Sequence, residues 1–243
     1  MKIVRVEAVP LSIPCRYGAE GWTLGAGGWK ALEFCLVRVD TDAGITGWGE
    51  AFSYSCRRAA VPSDAALLLD VNCEWGVEEA IAVGRRLAPM GLGWFEEPVF
   101  PPENGTGLRA VGEASGIPIA AGENCCFATQ FAALFDAGAV QYAQPSVTKV
   151  GGVTEFRKVA ALAAQRGVKL APHSPYFGPG ALATLHLVAA LAPEARFEYF
   201  YLQADAWLYG DLLAPRHGEL KVPQGPGLGT DPDPDVVRRY RVE

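Results

Sequence analysis

Three acidic residues follow one another along the chain at nearly equal intervals, and each closes a short apolar segment. They are Asp70 in LLLDVN, Glu96 in WFEEP and Glu123 in AAGEN, at spacings of 26 and 27 residues. Carboxylate oxygens are ligands that Mg²⁺ prefers, so three of them brought together would hold one divalent ion. The first hypothesis is therefore a magnesium site built from these three acids.

The same interval continues beyond the acids. Ser146 ends VQYAQPS, His173 lies in VKLAPHS and Glu198 lies in RFEYFY, at further spacings of 23, 27 and 25 residues. A strand, a helix and two loops together take about 25 residues, so this is the period of a βα repeat. The carboxyl ends of the strands of a (β/α) barrel open onto one mouth, where we expect all six residues to lie.

The elements that must position these residues follow from the same pattern. Residues 1 to about 60 are β-rich, with a hairpin turn at Asp42-Ala43-Gly44, and the βα repeat covers about 64–201. Helices are predicted at about 75–88, 105–115, 127–137, 152–166 and 180–191. Strands are predicted near 66–71, 93–97, 117–123, 140–146, 168–174 and 196–201. Six strands are too few for a complete eight-stranded barrel, which takes about 250 residues by itself.

Composition limits the class of protein. A chain of 243 residues, half of them hydrophobic, can bury a core as one or two domains. The net charge of −6 and the pI near 5.2 argue against nucleic acid or an anionic membrane as a partner. The N-terminal segment alternates like a strand and has no signal-peptide core, and the six cysteines show no metal-ligand spacing. These features predict a cytoplasmic protein with reduced thiols.

Taken together, the motifs resemble those of the enolase superfamily, specifically proteins like mandelate racemase and muconate lactonizing enzyme. GITGWGEAF is similar to the end of the family's capping sheet, and LLLDVN, WFEEP and AGEN to its three metal-ligand strands. KVGG, APHSPYFGPG and PQGPGLG are similar to later family segments. The resemblance implies an α/β fold: an incomplete (β/α) barrel of TIM type with about six strands, and an N-terminal β-rich α+β capping domain.

The resemblance also implies a division of the chain and a role for each candidate residue. The β-rich part of the capping domain would be 1–60, the barrel 61–205, and 206–243 a tail that returns to the capping domain. By position, the three acids named above would bind one Mg²⁺. His173 would be the catalytic base, and Glu198 would help to bind the substrate or its enolate.

Three further residues are candidates for substrate binding. Asn72 and Asn124 each lie near a predicted metal ligand, but both are equally compatible with ordinary turn residues. Ser146 stands where proteins like mandelate racemase carry an aspartate that orients the catalytic histidine, although a simple loop serine fits the sequence as well.

A second departure from the family pattern is that no Lys-x-Lys pair is present. The region that carries this pair in the family would fall between Ala60 and Val61. Either the chain is a naturally shortened form or a longer polypeptide carries the segment.

The implied chemistry is Mg²⁺-dependent removal of a proton α to a carboxylate, with an enolate intermediate. The outcome would be dehydration, racemisation or epimerisation of a hydroxy acid or sugar acid. One histidine can act first as base and then as acid, so the missing lysines favour dehydration. The alternative is a non-catalytic metal-binding remnant of the same fold. The expected partners are a small-molecule carboxylate and, because an incomplete barrel has open strand edges, further copies of the chain in a homo-oligomer.

Overall fold

The structure is a computed structural model that describes residues 2–14, 31–44, 46–52, 66–176, 178–199 and 206–240. The chain divides into two compact units, Met1–Ala65 with Phe200–Trp207 and Ala66–Tyr199 with Leu208–Glu243. The expected gap between residues 60 and 61 lies outside the described residues. The three-part division at 60 and 205 stays a prediction.

The described part of the first unit is an antiparallel sheet of three strands in the order β1-β2-β3. These strands are β1 (Ile3–Pro14), β2 (Ala31–Thr41) and β3 (Thr46–Phe52). The predicted hairpin between β2 and β3 is confirmed, and the Gly44 amide donates to the Thr41 carbonyl at 3.1 Å. Gly44 has a φ of +73°, a conformation that glycine adopts without steric cost.

The second unit is built on a parallel sheet of five strands that alternate with helices. The strand order follows the chain, β4-β5-β6-β7-β8. The strands are β4 (Leu68–Asp70), β5 (Trp94–Glu96), β6 (Ile119–Ala121), β7 (Tyr142–Ala143) and β8 (Lys169–Leu170). The helices are α1 (Val77–Leu87), α2 (Gly105–Ser115), α3 (Phe127–Asp136), α4 (Gly152–Arg166), α5 (Pro179–Leu191) and, in the tail, α6 (Pro234–Tyr240).

The predicted helices are found within two residues of their expected ends because local signals define those ends. The Asn104 side chain accepts from the Gly107 amide at 3.0 Å and so caps the start of α2. Gly116 and Gly167 end α2 and α4 in the left-handed conformation, with φ of +70° and +67°. The core lies between these helices and the sheet. Its largest fully buried apolar side chains are Phe95, Phe131, Phe156, Leu108, Ile119 and Leu182.

The sixth predicted strand is not formed in the part of 196–201 that the structure describes. Residues 196–199 have no strand pairing, and 200–201 lie outside the described residues. The segment after β8 contains Pro172 and Pro175, which have no amide hydrogen to donate to a neighbouring strand. Ser174 links the two segments, since its hydroxyl donates to the Glu198 carbonyl at 2.8 Å.

No helix in the described segments is long and apolar enough to cross a membrane.

Candidate active site at the carboxyl ends of the strands

The pairing of β4 with β5 places two of the predicted metal ligands side by side. Asp70 and Glu96 are register partners, and the contact continues past the strands, since the Val71 amide donates to the Glu96 carbonyl at 3.3 Å. The register of β5 and β6 pairs Glu96 with Ala120. Glu123 therefore lies three residues beyond the level of the other two acids, after β6 has ended.

The registers of β6, β7 and β8 bring two further candidates to a common level. Ala121 pairs with Ala143, and Ala143 pairs with Leu170. Ser146 and His173 each lie three residues beyond the last of these pairs. The two side chains are thus neighbours across the strand ends, as the βα period predicts.

Asp70 is the exposed residue among the three predicted metal ligands. Asn72 bonds to both of its carboxylate oxygens, with the backbone amide 2.9 Å from Oδ1 and the side-chain amide 2.7 Å from Oδ2. This is a local turn in which the asparagine orients the acid. Asn72 has a φ of +46°, which asparagine tolerates better than most residues.

Glu96 is buried, with 8% of its surface exposed. The Trp94 indole Nε1 donates to its Oε2 at 2.9 Å, and the Gln144 side chain also hydrogen-bonds to it. Burial, with the negative charges of Asp70 and Glu198, raises the pKa of Glu96 from 4.5 to about 7 against the effect of these hydrogen bonds. The protonated and the ionised forms of this carboxyl are therefore both populated near neutral pH.

Gln144, at the end of β7, is only 4% exposed. While its side chain hydrogen-bonds to Glu96, its Oε1 atom is buried and has no hydrogen-bond partner among the described residues. Such an oxygen costs free energy unless a group from outside the chain pairs with it.

Glu123 is buried between two basic side chains. Lys149 Nζ lies 3.1 Å from its Oε1, and His173 Nε2 lies 3.4 Å from its Oε2. Lys149 also donates to the Asn124 Oδ1 at 3.2 Å. Asn124 in turn directs its amide nitrogen towards Glu97, 3.3 and 3.4 Å from the two carboxylate oxygens. Asn124 thus connects Lys149 to the almost fully buried Glu97.

His173 has partners on both ring nitrogens. Its Nδ1 lies 3.1 Å from the Tyr176 hydroxyl, on the other side of the ring from Glu123. Burial first, and the positive charge of Lys149 second, lower the pKa of His173, against the opposite effect of Glu123 and Asp70. The neutral imidazole, which is the form able to accept a proton, is therefore favoured.

Ser146 is fully buried and bonds to the Tyr176 hydroxyl, with Thr148 Oγ1 3.4 Å away. The expectation that Ser146 binds substrate remains a prediction. Within the described residues, its hydroxyl is directed to these two neighbours.

Glu198 lies at the rim, where the Ser174 amide donates to its Oε2 at 2.7 Å. Glu198 as a whole is exposed to solvent, but this bond holds its carboxyl against the backbone of Ser174. Its partial burial, and then the charges of Glu123 and Asp70, raise its pKa against the effect of the Ser174 amide and Lys149.

The donor set suits a hard divalent cation. Asp70, Glu96 and Glu123 provide oxygen ligands only, and the buried acid Glu96 has its charge opposed by neighbouring carboxylates. In the described segments, however, no three or more His, Cys, Asp or Glu side chains lie close enough together to hold a metal ion. The register accounts for this, because Glu123 lies beyond the level of the other two acids and faces Lys149 and His173.

Two residues of this site were not among the sequence candidates. Tyr176 follows His173 by three residues in PHSPY, and Gln144 precedes Ser146 by two in QPS. A polar side chain within three residues of a predicted site residue, at the end of a predicted strand, is the signal that could have identified both.

Residues 54–236 match the family described as enolase C-terminal domain-like. The chain therefore belongs to this family, and the resemblance inferred from its motifs is confirmed.

Proteins similar to this chain include enzymes of sugar-acid metabolism. The D-galactarolactone cycloisomerase of Agrobacterium fabrum is 32% identical over 195 residues, which are 76% of this chain and 51% of that protein. The L-talarate dehydratase of a Polaromonas species, solved with Mg and L-glucarate, is 31% identical with a TM-score of 0.58, over 73% of this chain and 47% of that one. The chain thus spans about half the length of the relatives it matches.

The fold class is supported by a third protein. The mandelate racemase/muconate lactonizing enzyme-like protein of Rubrobacter xylanophilus is 31% identical and has a TM-score of 0.68, covering 76% of this chain and 48% of that one. The predicted α/β fold of repeated βα units, related to TIM-type barrels, is confirmed by this similarity.

Proposed function

We propose that the chain carries the active site of a Mg²⁺-dependent lyase or isomerase that removes the α-proton of a hydroxy acid or sugar acid, with dehydration as the favoured outcome. The observation that supports it best is the position of His173, a partly buried imidazole whose Nε2 lies 3.4 Å from a carboxylate of the predicted metal site. The named dehydratase and cycloisomerase relatives support the same reaction class.

In this proposal each side chain has a defined task. Asp70, Glu96 and Glu123 would hold the cation, which when bound would stabilise the negative charge that develops on the substrate carboxylate. His173 Nε2 would take the α-proton. Glu198, at the rim, would bind a substrate hydroxyl or the enolate oxygen.

A single histidine is sufficient for dehydration. After Nε2 has taken the α-proton, the same Nε2–H can protonate the β-hydroxyl, which leaves as water with the C–O bonding electrons. The enol that remains tautomerises to a 2-keto acid. Atoms and charge balance without an external oxidant or reductant.

The direct test is hydrogen exchange at the α-carbon of sugar acids in D₂O with Mg²⁺, followed by NMR. We expect His173→Asn to lower the exchange rate by at least about 100-fold, because the proton has lost its acceptor. His217→Asn, at an exposed histidine of the tail, is the matched control and should exchange at the wild-type rate. Equal exchange in the two variants would remove the base role from His173.

One observation favours the alternative, a non-catalytic metal-binding remnant: three metal-ligating side chains do not come together in the described residues. The same experiment separates the two functions. A remnant would bind Mg²⁺ in calorimetry but would exchange no α-proton with any sugar acid, in the wild type or in His217→Asn.

A further inference from the structure

We propose that Tyr176 is a positioning residue that fixes the imidazole of His173 through Nδ1, and that Ser146 holds Tyr176 in place. Three side chains are linked by two contacts: the Ser146 hydroxyl bonds to the Tyr176 hydroxyl, which in turn bonds to His173 Nδ1. The inference rests on the proposed function in that His173 is taken as the base.

The strand register explains how these groups meet. Ser146 and His173 lie at one level, three residues beyond the paired Ala143 and Leu170. The Tyr176 hydroxyl contacts both side chains, 3.1 Å from Nδ1 on the histidine side. Glu123 lies on the opposite side of the ring at Nε2. The Tyr176 hydroxyl and the Glu123 carboxylate therefore lie at opposite edges of the ring, and the hydroxyl is the contact that holds the ring at Nδ1.

Packing also constrains the tyrosine. The rings of Tyr176 and His173 meet edge to face, with centroids 5.6 Å apart and planes at 80°. The ring of Tyr176 lies against Gly180 in the first turn of α5. A Cβ atom there would come within 3.2 Å of Tyr176 Cδ2 and 2.7 Å of Thr148 Cγ2. The space for this ring thus depends on glycine at position 180.

Hydroxyl groups suit this task because they donate and accept. If Nδ1–H donates to the Tyr176 oxygen, Tyr176 can donate to Ser146 Oγ, and the lone pair of Nε2 is available for a proton. When Nε2 gains that proton, the bonds of Nδ1 need not change. The opposite direction, with Tyr176 donating to Nδ1, would leave the hydrogen on Nε2 and prevent it from acting as a base. In the proposed relay Tyr176 accepts the Nδ1 hydrogen, which leaves Nε2 able to take a proton, and it does so without adding a charge.

The test is a pair of single-atom deletions, Tyr176→Phe and Ser146→Ala, with Tyr142→Phe as the matched control. Tyr142 lies at the start of β7, four residues before Ser146, and packs on Trp94. The first readout is the ¹⁵N spectrum of the histidine rings, where the chain has only three histidines and His173→Asn assigns the signal. We expect the Nδ1 signal of His173 to move in Tyr176→Phe, to move less in Ser146→Ala, and to stay unchanged in Tyr142→Phe.

The second readout is α-proton exchange. Tyr176→Phe should lower kcat by about 10- to 100-fold with little change in KM, the range typical of losing a group that orients a functional histidine. Coinciding His173 signals in Tyr176→Phe and the wild type would overturn the inference. If no variant, including the wild type, exchanges a proton, the proposed function fails while the ¹⁵N signals still decide the relay.

Discussion

At the scale of single residues, the site contains acids of the same kind in different surroundings. Asp70 is exposed and held by Asn72, Glu96 is buried beside Trp94 and Gln144, and Glu123 lies between Lys149 and His173. Environment sets the charge state of such acids. We therefore expect them to differ in how they respond to a cation and to mutation.

The clearest difference is predicted for Glu96 in the cation-free protein. Its pKa is about 7 in the folded chain against 4.5 ordinarily, so the folded state binds this proton more tightly than the unfolded state does. The resulting stability is fully present below pH 4.5 and is lost as the pH rises through about 7. The shift corresponds to about 3 kcal/mol. Urea unfolding in a chelator should show the free energy of unfolding falling between pH 5 and pH 8.

Glu96→Gln is the control for this prediction. The amide keeps the shape of the side chain but does not titrate, so the fall between pH 5 and pH 8 should shrink by about the same amount. An unchanged pH dependence in Glu96→Gln would assign the titration to another group, and Glu97 and Glu198 are candidates because their pKa values are raised as well.

At the scale of elements, the connection from β6 to α3 decides where Glu123 stands. Gly122 ends the strand with a φ of +122°, a conformation that other residues rarely adopt. A Cβ atom at this position would lie 2.5 Å from Cε1 of the buried Phe131. The turn that carries Glu123 into the site therefore requires glycine for two separate reasons.

Gly122→Ala should consequently cost more than backbone strain alone. Gly116→Ala is the matched control, because Gly116 also has a positive φ, +70°, but nothing lies within 4 Å of its added Cβ. We expect a loss of about 1 kcal/mol at Gly116 and about 2–4 kcal/mol at Gly122, measured by urea unfolding. Equal losses at the two positions would mean that Phe131 moves aside easily.

How far the sequence predicts these elements depends on how local their signals are. The ends of α2 and α4 were predictable, because Asn104 and the glycines at 116 and 167 act within a few residues. The strand at 196–201 was predicted from spacing alone. Pro172 and Pro175 remove backbone donors from the segment after β8, which would have to pair with the strand predicted at 196–201. The spacing of the candidate residues does not take these prolines into account.

The candidate site shows the same limit. Asp70, Glu96, Glu123 and His173 were predicted because each lies near the end of a predicted strand at a regular interval. The contacts of Tyr176 with Ser146 and His173 depend on the register of β7 and β8. This register cannot be obtained from the spacing of residues along the sequence. Likewise the buried state of Gln144 depends on how neighbouring strands cover it.

At the scale of the whole molecule, the parallel sheet has open ends in the described residues. β4 and β8, the outer strands, each pair with one neighbour there. Unpaired strand edges promote association with other chains. We therefore expect light scattering after size-exclusion chromatography to give a mass that is a multiple of the 25.9 kDa of one chain. A mass of one chain across the micromolar range would contradict this.

Binding of a cation should also be visible in the stability of the whole protein. A ligand that binds only the folded state at 100 times its Kd adds about 2.7 kcal/mol, which for a chain of this size raises Tm by roughly 5–10 °C. We expect Mg²⁺ to produce such a rise, and Glu123→Gln, which removes one predicted ligand charge, to reduce it. A rise of the same size in Glu123→Gln would argue that the ion binds elsewhere.

The buried oxygen of Gln144 affects which side chains selection would favour at position 144. In an energy-landscape view, a buried Oε1 that has no hydrogen-bond partner among the described residues is a point of local frustration. Proteins tolerate frustration where function requires it and remove it elsewhere. A library at position 144 sorted for resistance to heat alone should therefore drift towards apolar side chains, whereas one sorted for turnover should retain glutamine.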